Sequence, residues 1–356
     1  MEEPPRKRRP RYGGRNPRRF EEKYKERDPA RYPETVAKVV ASGKTPAGTH
    51  RPILVAEVLE ALRPAPGLVA VDATLGFGGH AEALLPLLLP GGRLVALDAD
   101  PVELPRTEAR LRALGWGEEV LTVRRSSFAG LPKVLAEAGL PGADLVLADL
   151  GVSSMQLDDP SRGFSFREDG PLDMRMNPAR GLPAAAIVAR LDERRLAALL
   201  RESSDEPHAE VIARALVAAR ERAPLATTLA LAAAVREGLA GLPERVREEE
   251  GDAPVRRTFQ ALRIEVNDEL GALRTFLSAL PSCLAPGGRV AVLTFHSGED
   301  RLVKKAFQSG GRAGLFSAWS REPVRPGPEE LRANSRARPA KLRWAVRAAT
   351  AGRSAS

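Results

Sequence analysis

A single cysteine, Cys283, stands in 356 residues. No disulfide can close within the chain, and no cysteine-based zinc site can form. Histidine is nearly as scarce. His50, His80, His208 and His296 lie far apart and no HxxH, HExxH or DxDxDG spacing occurs, so no metal site is expected. Aromatics make up only 4% of the chain, which leaves Leu, Val and Ala to fill the core that a hydrophobic content of 43% implies. Long apolar runs are missing too. Stretches such as Ala83–Leu89 fall far short of the about 20 residues that cross a bilayer. The basic N-terminus has no apolar segment behind it to make a secretion signal. A cytoplasmic protein with no membrane partner and no obligate protein partner is expected.

Positive charge is abundant. The formal net charge is +9, which suits a polyanionic partner because each neutralised phosphate releases counterions. Composition does not separate RNA from DNA or an anionic membrane, and a GC-rich genome also favours Arg. Residues 1–31 hold twelve Lys or Arg against six Asp or Glu. Residues 1–47, with Arg and Lys set among Pro and Gly and no apolar periodicity, read as a disordered basic arm. It is either a tether for RNA or a solvated extension.

From residue 48 the pattern becomes α/β. Ile53–Leu62 reads as a helix, and Leu68–Ala73, Arg93–Leu97, Val120–Val123 and Asp144–Leu150 as strands. Helices alternate with them at Gly79–Leu88, Val102–Leu114 and Leu131–Ala138. Such alternation implies a parallel sheet with right-handed crossovers. The alternation then stops. Gly151 to Pro178 is rich in Gly, Pro, Asp and Ser and reads as a long polar loop of the kind that is usually functional. Ala184–Glu202 (breaking near Asp192), His208–Glu221 and Thr228–Leu239 read as amphipathic helices, and Glu244–Asp252 as a charged mobile linker. The α/β pattern resumes with Phe259, Leu262, Val266, Leu270, Leu273, Leu277 and Leu280 on one buried helical face. Gly287-Gly288 turns the chain into a strand Arg289–Phe295, followed by a helix Glu299–Gln308 and a last strand Lys341–Ala348. The expected organisation is a core of 48–155 and 256–350, interrupted at 156–255 by the loop and an all-helical insertion domain.

The first strand runs into Asp72-Ala73-Thr74-Leu75-Gly76-Phe77-Gly78-Gly79-His80. Glycines let this turn approach a ligand closely, and the following helix offers free amides. The spacing is GxGG, not the GxGxxG of dinucleotide sites. The second strand ends at Asp98, placed about 20 residues on as a ribose acceptor would be. The pair suits an adenosine without a diphosphate, and S-adenosylmethionine fits. Asp98 as a plain helix cap is the alternative. After the third strand Phe128 either packs on an adenine or joins the core. The fourth strand delivers Asp149 to the carboxyl edge, where ligands bind in open sheets.

Several runs then resemble one family. They are Asp72 to His80, Ala148-Asp149-Leu150-Gly151-Val152-Ser153-Ser154 with Gln156-Leu157-Asp158-Asp159, and Ser161-Arg162-Gly163-Phe164-Ser165-Phe166. With them go Gly170-Pro171-Leu172-Asp173-Met174-Arg175-Met176, Arg257 to Ile264, and Phe295-His296-Ser297 with Glu299-Asp300-Arg301. In this order, over residues 50 to about 348, they resemble the ribosomal RNA small subunit methyltransferase H (MraW) group. That family comprises the bacterial 16S rRNA cytosine-N4 methyltransferases. The resemblance implies a Rossmann-like class I S-adenosylmethionine-dependent core with an inserted all-helical domain. It implies transfer of a methyl group to the N4 amine of a cytidine in the decoding centre of 16S rRNA, near the P site, within the small ribosomal subunit. The family's cofactor positions fall on Gly78, Gly79, His80, Asp98, Phe128, Asp149 and Gln156. The chain departs from the family at Gly298 (for Leu), at Ser203 to Glu206, where an aromatic is missing, and at Ser335 (for Pro) in Asn334-Ser335-Arg336-Ala337-Arg338.

The reaction needs the amine in line with the methyl, so positioning supplies most of the catalysis. Asp149 is the expected catalytic residue, accepting the amine N–H by its carboxylate or adjacent carbonyl; the alternative is a contact to cofactor alone. Phe164 and Phe166 either sandwich an extruded base or anchor the loop. Asp173 and Arg175 either read the base edge or a phosphate, or pair with each other. Arg257 and Arg263 either meet rRNA backbone or point to water. A DNA or protein methyltransferase on the same core, and a non-catalytic RNA-binding assembly factor with a vestigial pocket, are the competing readings.

Overall fold

The computed structural model describes residues 52–349; the basic arm expected at 1–47 lies outside the described residues. Seven strands form one sheet in the order β3-β2-β1-β4-β5-β7-β6. They are β1 (Val69–Asp72), β2 (Arg93–Asp98), β3 (Leu121–Arg125), β4 (Ala143–Asp149), β5 (Leu284–Thr294), β6 (Phe316–Trp319) and β7 (Lys341–Arg347). The first five pair in parallel, and β7 runs antiparallel to both β5 and β6. Strand order reverses between β1 and β4, which opens a crevice at their carboxyl ends. The order and direction are those of a Rossmann-like class I methyltransferase sheet.

The inner strands are short apolar runs because helices cover both faces. Val71, Val95, Val146, Val290 and Val292 face one core with Phe276, Leu280 and Phe307. Alternate residues Ala70, Leu94, Leu145, Leu147 and Leu293 face the other with Leu54, Leu84 and Leu111. The first core is covered by α4 (Leu131–Glu137), α12 (Glu269–Cys283) and α13 (Ser297–Arg312). The second is covered by α1 (Val55–Leu62), α2 (Gly79–Leu88) and α3 (Glu103–Ala113).

A third core is built almost wholly from helices α6 (Ala184–Arg190), α7 (Glu193–Ser204), α8 (Ala209–Arg222), α9 (Thr228–Gly238) and α11 (Ala253–Asn267). Their Leu196, Leu200, Ile212, Leu216, Leu231, Val235 and Leu262 are buried together. The break expected near Asp192 is there: its carboxylate accepts from the Arg195 amide at 2.8 Å and caps α7.

Four readings change. Glu244–Glu250 is a helix, α10, held because Glu250 accepts from Arg257 at 2.8 Å. The periodic face from Phe259 to Leu280 belongs to two helices, split at Asp268 in a left-handed conformation (φ 48°). Phe259 and Leu262 turn to the helical core, whereas Leu273, Leu277 and Leu280 turn to the sheet. β5 starts at Leu284, so Gly287-Gly288 lies inside a strand whose register with β4 shifts there, not in a turn before it. Last, the polar segment after β4 holds α5 (Ser154–Asp158) and a short 3₁₀ turn. The rest is pinned to the helices by Leu172 N–H to Ala226 O and Thr228 N–H to Gly170 O, both 2.9 Å. Strand β6 and α14 (Pro328–Ala333) had no sequence counterpart.

Leu216→Ala should cost about 2–5 kcal/mol, since the site is closed on all sides and a cavity would remain. Urea unfolding measures it, and a loss under about 1 kcal/mol would mean that the helical core readily collapses around the gap.

Candidate active site

Strand register brings Asp72, Asp98 and Asp149 to the same edge of the sheet. Asp72 lies level with Ala96 and Leu147, Asp98 with Arg125, and Asp149 with Leu293. Between Asp72 and α2 the chain makes a tight loop with Gly76 and Gly78 at positive φ (51° and 84°). A Cβ on Gly78 would sit 3.1 Å from Thr107 Cγ2 and 3.3 Å from Leu111 Cδ1, so only glycine fits unstrained. Helix α3 clamps the loop. Thr107 Oγ1 donates to Gly76 O at 2.6 Å. Arg110 bonds Phe77 O and lies 4.0 Å over the Phe77 ring. Gly79 and His80 open α2, whose first amides face the crevice edge.

Asp98 fastens this loop to the end of β2. Its Oδ2 accepts from Gly76 N–H at 2.7 Å and its Oδ1 from Asp100 N–H at 2.8 Å. Burial pushes its carboxyl up, with the amide bonds opposing. Asp149 hangs from the loop on the other side: its N–H donates to Thr74 Oγ1 at 2.6 Å, and Thr74 N–H donates to Asp72 Oδ1 at 3.1 Å.

His80 Nε2 lies 3.5 Å from Asp149 Oδ2, within ion-pair reach but without a well-formed hydrogen bond. His80 Nε2 and Asp149 Oδ1 are both buried and have no hydrogen-bond partner among the described residues. Burial works to lower the His80 pKa, but Asp149, Asp72 and Glu330 outweigh it and hold the imidazole above its ordinary value. Asp72, 1% exposed, is pushed up to about 7 by burial, against the pull of His80. Clustered carboxylates and orphaned polar atoms of this kind call for a partner that brings positive charge and donors. A sulfonium with an α-ammonium group supplies both.

Sequence reasoning passed over Asp100, two residues beyond Asp98. Its buried carboxylate accepts from Val102 and Glu103 N–H, from Gln156 Nε2 at 2.7 Å and from Arg162 Nη1 at 2.9 Å. Gln156 Oε1 in turn accepts from Ser153 N–H at 2.9 Å, so both ends of that amide are engaged. Its position at the third residue of α5 after Ser153 was the readable signal, a capping box. Phe128 stands on the 3₁₀ turn after β3 with its edge against Phe276, ring centres 5.6 Å apart.

The residues offered for substrate are placed as follows. Phe164 is 6% exposed within the helical core. Phe166 tilts on Phe259 at 5.2 Å, with Arg236 5.8 Å from its ring centre. Arg175 holds Asp173 with two bonds, Nη2 to Oδ2 at 2.7 Å and Nε to Oδ1 at 2.9 Å. Burial would raise the Asp173 carboxyl, yet the Arg175 bonds keep it below its usual range. Arg257 grips the buried Glu206 and also Glu250. Arg263 holds Glu269 at 2.8 and 2.9 Å. Each arginine is therefore engaged inside the protein.

Glu269, His296 and Glu299 also converge, with ligand-type atoms within 4.8 Å of one another. His296 Nδ1 accepts from Glu299 N–H at 3.4 Å, and Nε2 lies 3.2 Å from Glu299 Oε1 without a well-formed hydrogen bond. Arg263 already balances the charge of Glu269, and the group reads as a buried ion network that starts α13.

The profile of the MraW methylase family matches residues 47–348. A "Ribosomal RNA small subunit methyltransferase H 1" of Lachnoclostridium phytofermentans is 50% identical over 348 residues, covering 98% of this chain and 94% of that protein. A "Ribosomal RNA small subunit methyltransferase H" of Halorhodospira halophila is 46% identical over 324 residues, covering 86% and 97%. Among solved structures, a putative rRNA methylase from Clostridium thermocellum aligns over 84% of this chain and 98% of that one. Its TM-score is 0.40 at 12% identity, too distant to carry weight.

The raised pKa of Asp72 has a consequence for stability. Between the ordinary value of 3.8 and about 7 the folded chain keeps a proton that the unfolded chain has lost, so stability falls as pH rises through that window. Asp72→Asn cannot titrate and removes the decline. Its thermal midpoint should exceed that of the parent by a few degrees near pH ~8, and the gap should shrink steadily as pH falls, closing only near pH ~3.5. A gap that widens toward acid would contradict the assignment.

Proposed function

The chain belongs to the MraW methylase family, and from that premise we propose that it transfers a methyl group from S-adenosylmethionine to the N4 amine of one cytidine in small-subunit rRNA. The target on this reading lies in the decoding centre of 16S rRNA, near the P site. One observation carries the cofactor choice: an anionic crevice at the switch between β1 and β4, holding Asp72, Asp98 and Asp149 with the unpartnered His80 Nε2 and Asp149 Oδ1. Such a crevice suits a cationic ligand and repels a pyrophosphate.

The cofactor, when bound, supplies a methyl group on a positively charged sulfur. Gly78, Gly79 and His80 would meet it at the start of α2. Asp98 would take the ribose hydroxyls with lone pairs not used by Gly76 and Asp100. Phe128 and Gln156 would border the adenine side, where the Phe276 contact and the capping box hold them in place.

Chemistry on cytosine N4 is limited by a lone pair delocalised into the ring. Asp149 answers this by accepting an amine N–H, which returns electron density to nitrogen and fixes its direction. Its backbone is immobilised by Thr74, and its side chain remains 23% exposed, so a base can approach it. As nitrogen took the methyl group and the methyl–sulfur bond broke, the nitrogen would become acidic, and this carboxylate would pass its proton to solvent. Asp173, Arg175, Arg257 and Arg263, with Phe164 and Phe166, serve as struts. They hold the loop 160–176 and the inserted helices at the distance at which an extruded base can enter.

Asp98→Ala should weaken S-adenosylmethionine binding about tenfold or more, read by calorimetry. Asp149→Ala should lower turnover on purified small subunits about 100-fold with a much smaller change in cofactor affinity. Unchanged turnover would remove the carboxylate from the mechanism. Nucleoside mass spectrometry of small-subunit rRNA from a deletion strain should show N4-methylcytidine missing. Its persistence, or labelling of DNA alone in vitro, would refute the substrate.

A further inference from the structure

The crevice raises an electrostatic problem. Asp72, Asp98, Asp100 and Asp149 line or underlie it, and Asp158 and Asp159 stand on the loop beyond. Within a Debye length of about 8 Å, such a mouth repels the phosphates that flank any target base. The nearest arginines do not offset this, because Arg162, Arg175, Arg257 and Arg263 are bound to carboxylates of their own.

Residues 328–340, joining β6 to β7, lie across this same edge. Glu330 Oε1 accepts from Leu54 N–H at 2.8 Å, and Glu330 bears electrostatically on His80. Arg336 Nη2 donates to Asp158 Oδ1 at 2.7 Å, which fastens the segment to α5, the helix of Gln156. Lys341, where it enters β7, is level with Thr294 at the end of β5. The segment is rigid. Asn334 Oδ1 accepts from Arg336 N–H at 3.1 Å, residues 335–337 form a 3₁₀ turn, and Ala337 and Ala340 are buried in the sheet core. Arg332 and Arg338 project outward and are exposed. Among the described residues Arg332 makes only a 3.3 Å bond to Pro328 O within its own helix, and no side-chain partner is found for Arg338.

We propose that Arg332 and Arg338, on a turn that Arg336 ties to Asp158, form a clamp for the phosphate backbone of the substrate rRNA beside the target base. The inference rests on the rRNA methyltransferase reading and adds the place where the strand is held. Burial of Ala337 fixes the turn beneath the arginines, so little ordering is needed when RNA binds. Arg336 neutralises Asp158 on the strand's path. The acidic crevice then receives only the base and the cofactor, while the backbone stays on a cationic rim.

The test uses the full chain and small-subunit rRNA transcribed in vitro. Arg332→Gln/Arg338→Gln leaves the buried turn and the Arg336 tie untouched. Binding is followed from about 50 to about 200 mM salt. The slope of log affinity against log salt should flatten by about 1 for each arginine removed. Affinity at low salt should fall about tenfold, with S-adenosylmethionine affinity unchanged. A matched pair, Lys304→Gln/Lys305→Gln, removes two exposed charges seven and eight residues into α13 and should move the slope much less. The clamp is overturned if the arginine pair keeps the parental slope, if the lysine pair flattens it equally, or if cofactor affinity falls along with RNA affinity. Failure of the methyltransferase reading would appear separately, as a parent protein that binds no S-adenosylmethionine.

Discussion

The carboxylate of Asp100 joins the two halves of the molecule. It is 1% exposed and takes four donors: two amides that start α3, the Gln156 amide and the Arg162 guanidinium. Arg162 passes the connection on, donating to the carbonyls of Arg175 and Met176 at 3.1 and 2.9 Å. Asn267 closes the far side through Met174 O and Met176 N–H. A buried ion pair of this kind contributes little net stability against an apolar substitute, but loss of one partner strands the other at about 3–5 kcal/mol. Its value is registry. The strand that carries Asp98 and the loop expected to receive a base cannot move independently while this carboxylate is in place.

The same logic accounts for the distribution of charge. A net charge of +9 suggests a surface ready for RNA, yet the arginines in the recognisable motifs are mostly turned inward. Arginine suits that work because its planar fork meets a carboxylate with two bonds and still reaches a carbonyl. Arg257 shows why sequence position misleads. It sits on an exposed-looking helical repeat, but Glu206, whose side chain is fully buried, lies opposite and takes both its Nε and an Nη. Cations free to meet a polyanion must be sought outside the motifs of the loop and of the inserted helices.

Much of the fold was legible because the inner strands are short Val- and Leu-rich runs separated by amphipathic helices of ordinary length. Gly79–Leu88 was read to the residue, and Asp98 and Asp149 to the correct edge. What escaped had physical causes. β6 is four residues at the rim of the sheet, with no run long enough to show alternation. The joint at Asp268 keeps apolar residues in step across two helices that face different cores, which periodicity cannot distinguish from one helix. Asp100 looked like a loop aspartate because its partners, Gln156 and Arg162, are 56 and 62 residues away. Phe164 and Phe166 could be read either as stacking on a base or as loop anchors, because packing by distant helices, full for Phe164 and partial for Phe166, leaves no local trace.

The crevice faces opposing demands. A cationic cofactor favours carboxylates and a low dielectric, and burial has already raised Asp72 to about 7 and pushed up Asp98. Adding cations inside would relieve those groups but weaken the attraction for a sulfonium. A polyanionic substrate needs the opposite sign within one Debye length. The fold keeps the two signs on different elements. Carboxylates sit at the strand ends, and the arginines of 332–338 lie on the segment between β6 and β7, whose turn is anchored by buried Ala337 and by the Arg336–Asp158 pair. On the proposed reading, such an arrangement suits a target that comes to the site as a single base, extended from its strand.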